Sequence, residues 1–419
     1  MASVTDHYDV AVAGAGPAGA QCARDLASRG YEVVVLETET EEGFPRTSNK
    51  STGGTFPPML ASFNVPDDVV MHFTDNVVVE SPNEHYTRRH PGAVLEFADF
   101  KRFLVEDSRE KGAEYRFDAR VSQPVLEGGE VVGVQYNGDQ EVRADVVVDA
   151  TGPAAPLAKA LGVTKLQRDH QAIGIEHEFE GVDLDHPDFG DLTDAMMLRL
   201  DHEYAPGGYS WIFHTGEDTA KVGVCFIQNE AYKQHASQER TVDGYLEHWL
   251  ETDPRFADAE RLPGKTHRGS AHIQKPGQMT TDSFIAIGDT VPTVDPLWGE
   301  GIHVGMKSAR AAAITIDSCL THRDRDTSAE YVGSYRDRWH SEVAPNMVKR
   351  LLMTELMYFA SNDRYDRLLR DLNRIDEDLL TAANGGSLWA ISKLIHRGDV
   401  PLLAQFARHR LSEDSWNLR

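Results

Sequence analysis

Apolar and polar positions alternate along the chain in several distinct rhythms. Tyr8-Asp9-Val10-Ala11-Val12-Ala13 is a short apolar run that predicts a buried strand, followed by a helical stretch over Ala20–Arg29 and a second strand over Glu32–Leu36. Val77–Glu80 and Val94–Phe97 read as strands of a separate sheet, Asp99–Lys111 as helix, and Glu114–Phe117, Val131–Tyr136 and Glu141–Val148 as further strands. An antiparallel pattern then sets in: Ala172–Phe179, Ala195–Leu200, Tyr209–Phe213 and Lys221–Phe226 are separated by turn signals such as Pro206-Gly207-Gly208 and Thr215-Gly216-Glu217-Asp218. Four such strands make a sheet able to roof a ligand pocket. Phe284–Asp289 is one more buried strand, Gly301–Ile316 a helix, and from Ser328 the pattern is helical to the end. Within that region Val348, Leu352, Leu356 and Phe359 recur at helical spacing, widened by Met347, Leu351 and Met357. This stripe predicts packing on a core, with a lid or membrane-contacting helix as the alternative.

Glycines give the first strand its chemistry. Gly14-Ala15-Gly16-Pro17-Ala18-Gly19 sits between strand and helix, the setting in which G-x-G-x-x-G binds a dinucleotide. Gly14 permits the tight turn, Gly16 lets backbone approach a pyrophosphate, and Gly19 allows close helix–strand packing, while the helix N-terminus offers unpaired N–H groups. Glu37, ending the second strand, stands about 20 residues on, where an acid holds a ribose hydroxyl pair and repels a 2′-phosphate. The site therefore suits the adenosine half of FAD or NAD rather than NADP. Asp149-Ala150-Thr151-Gly152 closes another buried strand with a small-residue turn, and Gly288-Asp289-Thr290 leads to Pro296-Leu297-Trp298-Gly299-Glu300-Gly301-Ile302, a second glycine-rich loop. The pair of glycine loops, far apart in sequence, outlines both ends of one FAD site. The expected fold class is α/β: a Rossmann-type FAD-binding domain in three pieces (1–75, 98–165, 270–327), interrupted by an antiparallel substrate sheet (76–97, 166–269) and followed by a helical C-terminal region (328–419).

The chain has 419 residues, enough for two or three structural units with a cofactor and a ligand tunnel. Lys and Arg total 42 against 67 Asp and Glu, a net charge of −25. Such self-repulsion disfavours nucleic-acid partners and costs stability in dilute salt, but at molar salt the Debye length falls to roughly 3 Å and the repulsion largely disappears. The composition thus points to a host with a salty cytoplasm. No apolar run reaches the 18 or more residues of a membrane span, and no secretory signal pattern opens the chain, so the expected location is the cytoplasm, at most peripheral on the inner face of the membrane. Cys22, Cys225 and Cys319 lack C-x-x-C spacing, which argues against an iron–sulfur cluster or a disulfide framework. Cys22 is expected to pack as a small apolar residue under the first helix, and no metal site is expected.

Taken together, these motifs resemble the geranylgeranyl reductase family, within the p-hydroxybenzoate-hydroxylase-like flavoproteins, over roughly residues 5–320. The anchors are Gly14–Gly19 with Glu37, Asp149–Gly152, and G288-D-T-V-P-T-V-D-P-L-W-G-E-G-I302. A fourth, Tyr209-Ser210-Trp211-Ile212-Phe213, is similar to the family's Y-x-W-x-F-P signature. The resemblance implies FAD held additionally by Thr52, Gly53, Gly152, Gly288 and Asp289, by Gly299, Gly301 and Ile302 beside the flavin ring, and by the backbone of Val121 near adenine. It implies reduction of C=C bonds in a polyprenyl lipid, with Tyr209, Trp211 and Phe213 on one side of a strand as the apolar wall and Trp298 at the flavin edge. His303 is the candidate proton source, a structural histidine being the alternative. No second G-x-G-x-x-G provides for a resident nicotinamide, so the electron donor is expected to dock transiently, as NAD(P)H or as reduced ferredoxin or another carrier protein. Three departures stand out: Thr52-Gly53-Gly54 or Ser51-Thr52-Gly53 replaces the family's Cys-Gly-Gly, Phe97 stands where an arginine is usual, and His214 replaces the signature's proline. The competing readings are an aromatic monooxygenase or halogenase, whose W-x-W-x-I-P matches poorly here, a flavoprotein dehydrogenase serving quinone, and a non-catalytic flavin sensor.

Overall fold

The computed structural model describes residues 6–46, 49, 52–322, 324–384 and 387–411. Part of the expected Glu41–Thr55 loop, including Ser51, and the end of the expected C-terminal helical run therefore lie outside the described residues. The chain forms two compact units, one from Met1–Asn49, Phe97–Leu166 and Lys275–Pro345, the other from Lys50–Glu96, Gln167–Gln274 and Asn346–Arg419. Relative to the sequence-based partition, residues 50–75 join the sheet unit. The helical region is divided, residues 328–345 going with the dinucleotide sheet and 346–419 with the antiparallel one.

The first unit is built on a parallel core. His7–Ala13 lies between Val33–Leu36 and Gln140–Asp149, with Glu114–Arg116 outside the former and Phe284–Ala286 outside the latter, all pairs parallel. Val33–Leu36 is buried at every position, as a strand covered on both faces must be. The hairpin Val121–Glu127/Glu130–Tyr136 extends this sheet antiparallel from Gln140–Asp149. Helix Pro17–Ala27 packs against Phe97–Glu110 and Ile302–Thr321. Its buried small residues Gly19, Ala20, Cys22, Ala23 and Ala27 meet an equally small-residue face of Ile302–Thr321, bearing Gly305, Ala309, Ala312 and Ala313, which permits close approach. Cys22 is fully buried there, as expected.

The second unit is an eight-stranded sheet in the spatial order Glu260–His272, Gln171–Glu180, Thr219–Ile227, Gly208–Gly216, Ala195–Arg199, Val70–Glu80, His85–Leu95, Gly54–Thr55. Its pairs are antiparallel except Ala195–Arg199 with Val70–Glu80. Helix Val242–Thr252 covers one face through Tyr245, Leu246 and Trp249, which join Ile175, Phe179, Ile212, Val222 and Val224 in one apolar cluster. That helix and the edge strand Glu260–His272 lack a clear signal in the sequence; Pro263, Gly264 and six charged or histidine side chains disguise the strand, whose inward positions are mostly half-buried. Helix Met347–Phe359 buries Met347, Leu351, Tyr358 and Phe359, but of the expected stripe Val348 is 37% exposed and Leu352 and Leu356 are only half-buried, so the helix packs through Phe359 and the Met347–Leu351 side rather than through the centre of that stripe.

Candidate active site

The first unit gathers the glycine motifs. Gly14 has φ +97°, and a Cβ there would lie 2.7 Å from the Ala150 carbonyl oxygen; a Cβ on Gly19 would lie 2.0 Å from that of Gly14. Neither position tolerates a side chain. Gly16 is different: nothing stands within 4 Å of its missing Cβ, so the turn is open on the side where a pyrophosphate approaches. Gly16 is also the N-cap of helix Pro17–Ala27, Pro17 follows at its first position, and no capping side chain or first-turn acid satisfies the helix N–H groups. Glu37 is 7% exposed and accepts from the Ala15 N–H at 2.8 Å and the Glu39 N–H at 3.0 Å. A carboxylate offers about four lone-pair sites, so two such bonds leave capacity for a ribose diol.

The later motifs fold onto the first. Asp149 is fully buried and ties its turn together, one oxygen accepting from the Thr151 N–H and hydroxyl, the other from the Ala158 N–H at 2.9 Å. Burial raises its pKa despite those bonds. The Gly152 N–H donates to the Thr290 hydroxyl at 3.1 Å, and a Cβ on Gly288 would stand 2.8 Å from that of Ala18, so all three glycine turns meet. Asp289 accepts from the Thr293 hydroxyl at 3.1 Å, yet burial pushes its carboxyl up to about 6. In the loop that follows, Asp295 accepts from the N–H groups of Leu297 and Trp298, and Gly299 takes φ +65°. Gly301 caps helix Ile302–Thr321, again with no capping side chain and no first-turn acid. Two uncapped helix N-termini in so acidic a chain are a cradle for an anionic, electron-rich ligand.

Other expected residues are placed as follows. Val121 begins its strand, buried, opposite Tyr136. Trp298 is 36% exposed. His303 Nδ1 lies 3.6 Å from Glu300 Oε1, too far for a direct hydrogen bond. Lys307, one turn along the helix, escaped notice in the sequence: it donates to the Val343 carbonyl at 3.1 Å, and burial lowers its pKa against the opposing charges of Glu300 and Glu342.

Thr52 and Gly53 belong to the second unit, together with the aromatic strand. Gly53 (φ +75°) and Leu95 are joined by a hydrogen bond from the Leu95 N–H to the Gly53 carbonyl, 3.0 Å. Lys221, only 1% exposed, donates to the carbonyls of Thr52 (3.0 Å) and Leu95 (2.8 Å), clamping this loop to the strand Thr219–Ile227. Tyr209, Trp211 and Phe213 share the sheet face opposite helix Val242–Thr252. Phe213 lies on Gly54, Trp211 covers Gly223, and Tyr209 packs beside Leu200, Tyr365 and Met357. The Trp211 indole donates to Glu176 Oε2 at 3.0 Å, and Oε1 of that buried carboxyl has no hydrogen-bond partner among the described residues. Burial raises the Glu176 pKa, outweighing the Lys221 charge and the indole bond. Two residues on, burial of Glu178 is overcome by the His267 hydrogen bond and the charges of Lys221 and Lys265, and its pKa is lowered. Environments that pull neighbouring carboxyls apart in this way favour the proton on Glu176 and the charge on Glu178. Neither residue stood out in the sequence, where E-H-E reads as a solvated strand face.

The chain matches the model of the FAD dependent oxidoreductase family over residues 9–287. It is 65% identical to the digeranylgeranylglycerophospholipid reductase of Haloferax volcanii, across 97% of this chain and 99% of that one. With digeranylgeranylglycerophospholipid reductase 2 of Methanopyrus kandleri it shares 29% identity, covering 96% and 99%. Among solved structures, a geranylgeranyl bacteriochlorophyll reductase-like protein from Thermoplasma acidophilum superposes with a TM-score of 0.80 at 20% identity, covering 96% and 99%. A flavin-dependent brominase superposes at 0.67 and 23% identity, covering 87% and 92%, so the fold alone does not separate reductases from halogenases. Glycine turns closed to side chains, a ribose-ready Glu37 and two uncapped helix N-termini fit the group that this family carries: the chain belongs to the FAD-dependent oxidoreductases, within the geranylgeranyl reductase family.

Proposed function

We propose that the protein reduces the C=C bonds of geranylgeranyl chains on archaeal glycerophospholipids. The observation that carries this reading is the end-to-end 65% identity to a digeranylgeranylglycerophospholipid reductase. FAD, when bound in reduced form, supplies hydride to one alkene carbon. The protein supplies the rest. Gly14, Gly16, Pro17, Ala18, Gly19, Glu37, Val121, Gly152, Gly288 and Asp289 would hold the cofactor's adenosine, pyrophosphate and ribityl portions. Gly299, Gly301 and Ile302 would face its ring, and Thr52 and Gly53 are proposed as further cofactor residues. An alkene has no polar handle, so binding rests on burial of about 0.8 kcal/mol per CH₂ and orientation on shape. Tyr209, Trp211 and Phe213 offer that surface, and Trp298 an edge beside the glycine loop. The proton for the second carbon has two candidate carriers, His303 and the raised carboxyl of Glu176. The electron donor is NAD(P)H or a reduced carrier protein such as ferredoxin, binding transiently, and the lipid is met at the inner face of the membrane.

Anaerobic incubation of photoreduced holoprotein with detergent-dispersed unsaturated archaeal phospholipid, followed by mass spectrometry, tests the reading. Each reduced double bond adds two hydrogens, and flavin reoxidises in step. Lipid of unchanged mass with flavin still reduced would sink it, and oxygen-dependent hydroxylation or halogenation of an aromatic substrate would favour the alternative.

A further inference from the structure

The end of the described chain combines two features. Between Leu388 and Leu411 there are four Lys or Arg and one Asp, in a chain whose net charge is −25. The single acid, Asp399, is buried and paired with Arg364 at 2.8 Å, so the segment presents cations. It also presents apolar side chains. Helix Val400–His409 packs on its unit through Phe406, whose ring lies 6.3 Å from that of Phe359, and through Leu402 in the cluster around Leu200, Ala360 and Tyr365. Its outward side is nevertheless apolar as well: Val400 (62% exposed), Ala404 and Ala407 follow at intervals of four and three residues, one stripe of the helix, and Leu411 (86%) stands just past its C-cap Arg410. Ahead of the helix, Trp389 is 65% exposed with the Lys393 ammonium 5.4 Å from its ring centre.

An exposed apolar helical stripe bordered by exposed Lys393, Arg397 and Arg408, with a Trp–Lys pair beside it, has the composition of a helix lying in a membrane interface. We infer that this segment docks the protein on the surface of an anionic phospholipid bilayer. The choice of occupant follows from charge: an acidic body is repelled by an anionic surface, whereas this segment exposes Lys393, Arg397 and Arg408 and keeps its one acid, Asp399, buried. High salt leaves the device working, because screening shortens the reach of the cations to contact distance while apolar insertion is unaffected by it. The inference rests on the proposed lipid substrate for the nature of the surface, and it deepens that reading by naming where the enzyme meets it.

The test is vesicle flotation of the full-length holoprotein at about 2 M KCl, where only contact electrostatics survive, with phosphatidylglycerol and phosphatidylcholine vesicles. Wild type is expected to float with phosphatidylglycerol. A404E/A407E, altered only at exposed positions, should lose roughly tenfold or more of the bound fraction. K393E/R397E/R408E should lose the preference for the anionic vesicles. Flavin content and melting temperature of the variants verify folding, and reduction of detergent-dispersed lipid should persist in A404E/A407E. Wild type that stays unbound, equal flotation with both lipids, or A404E/A407E floating like wild type would each overturn the inference. So would light scattering showing that A404E/A407E splits an oligomer, since a second copy would then cover the stripe. None of these results touches the mass gain that tests the reductase reading, so the two stand or fall separately.

Discussion

Glu176 shows how a residue's chemistry depends on which side of a strand is truly wet. In Gln171–Glu180, Ile175 and Phe179 point to the helix-covered core, and strict alternation casts Glu176 and Glu178 as the solvent side. Both are buried all the same, Glu176 under the Trp211 indole and Glu178 between Lys265 and His267. The expected consequence is a pH-dependent cost. A carboxyl whose folded pKa is raised binds its proton more tightly folded than unfolded, so its stabilisation is complete below the unfolded carboxylate range and is lost as pH rises through the folded value. Glu176→Gln removes that loss while keeping an acceptor for the Trp211 indole. Its melting temperature relative to wild type should therefore climb between pH 4 and pH 8, by a few degrees if about 1 kcal/mol is recovered. Thermal melts across that range decide it, and a difference that does not change with pH refutes the raised pKa. By contrast Gly14, Gly19 and Glu37 were legible in advance, because a steric requirement of the backbone and a ribose-binding spacing are written locally.

At the scale of elements, the loop at Thr52–Gly53 is held by a strand far away in sequence. Lys221 satisfies two carbonyls that would otherwise be buried with fewer partners, and it does so from the strand adjoining the aromatic one. Lys221→Met keeps the apolar stem but removes both bonds, which should cost about 2–3 kcal/mol. If the loop contributes to the cofactor site, FAD affinity should fall as well, by roughly tenfold. Denaturant melts and flavin titration separate the two effects. A variant with wild-type stability would show that the clamp is dispensable, and one destabilised but binding FAD normally would detach the loop from the cofactor. No local signal marks Lys221, since a lysine in a strand reads as an exposed charge. Regular elements fared better: the four strands between Ala172 and Phe226 follow from alternation and turn residues. The helix Val242–Thr252 and the strand Glu260–His272 lay hidden for opposite reasons, the helix by its short apolar face and the strand by its polar, proline-broken edge.

For the whole molecule, composition sets the working conditions. With a net charge of −25, folding concentrates repulsion that salt relieves, so the melting temperature should rise by ten degrees or more, on the order of what full screening allows, between about 0.1 M and 2 M KCl. Scanning calorimetry across that series checks this, and a flat response would refute the salt-adapted reading. The interrupted plan of the chain was legible because two flavin motifs bracket a different rhythm. The exact crossings were not, since loops such as that near residue 50 carry no pattern of their own. Those crossings have a kinetic meaning. The dinucleotide sheet aligns His7–Ala13 with Gln140–Asp149 and, beyond it, Phe284–Ala286, so its parallel pairs close across very long stretches of intervening chain. Such pairing is slow and must wait for its last strand to be made. On the ribosome the N-terminal glycine turn therefore emerges early yet stays incomplete until more than half of the protein has followed it, and cofactor capture belongs to the end of synthesis rather than its beginning.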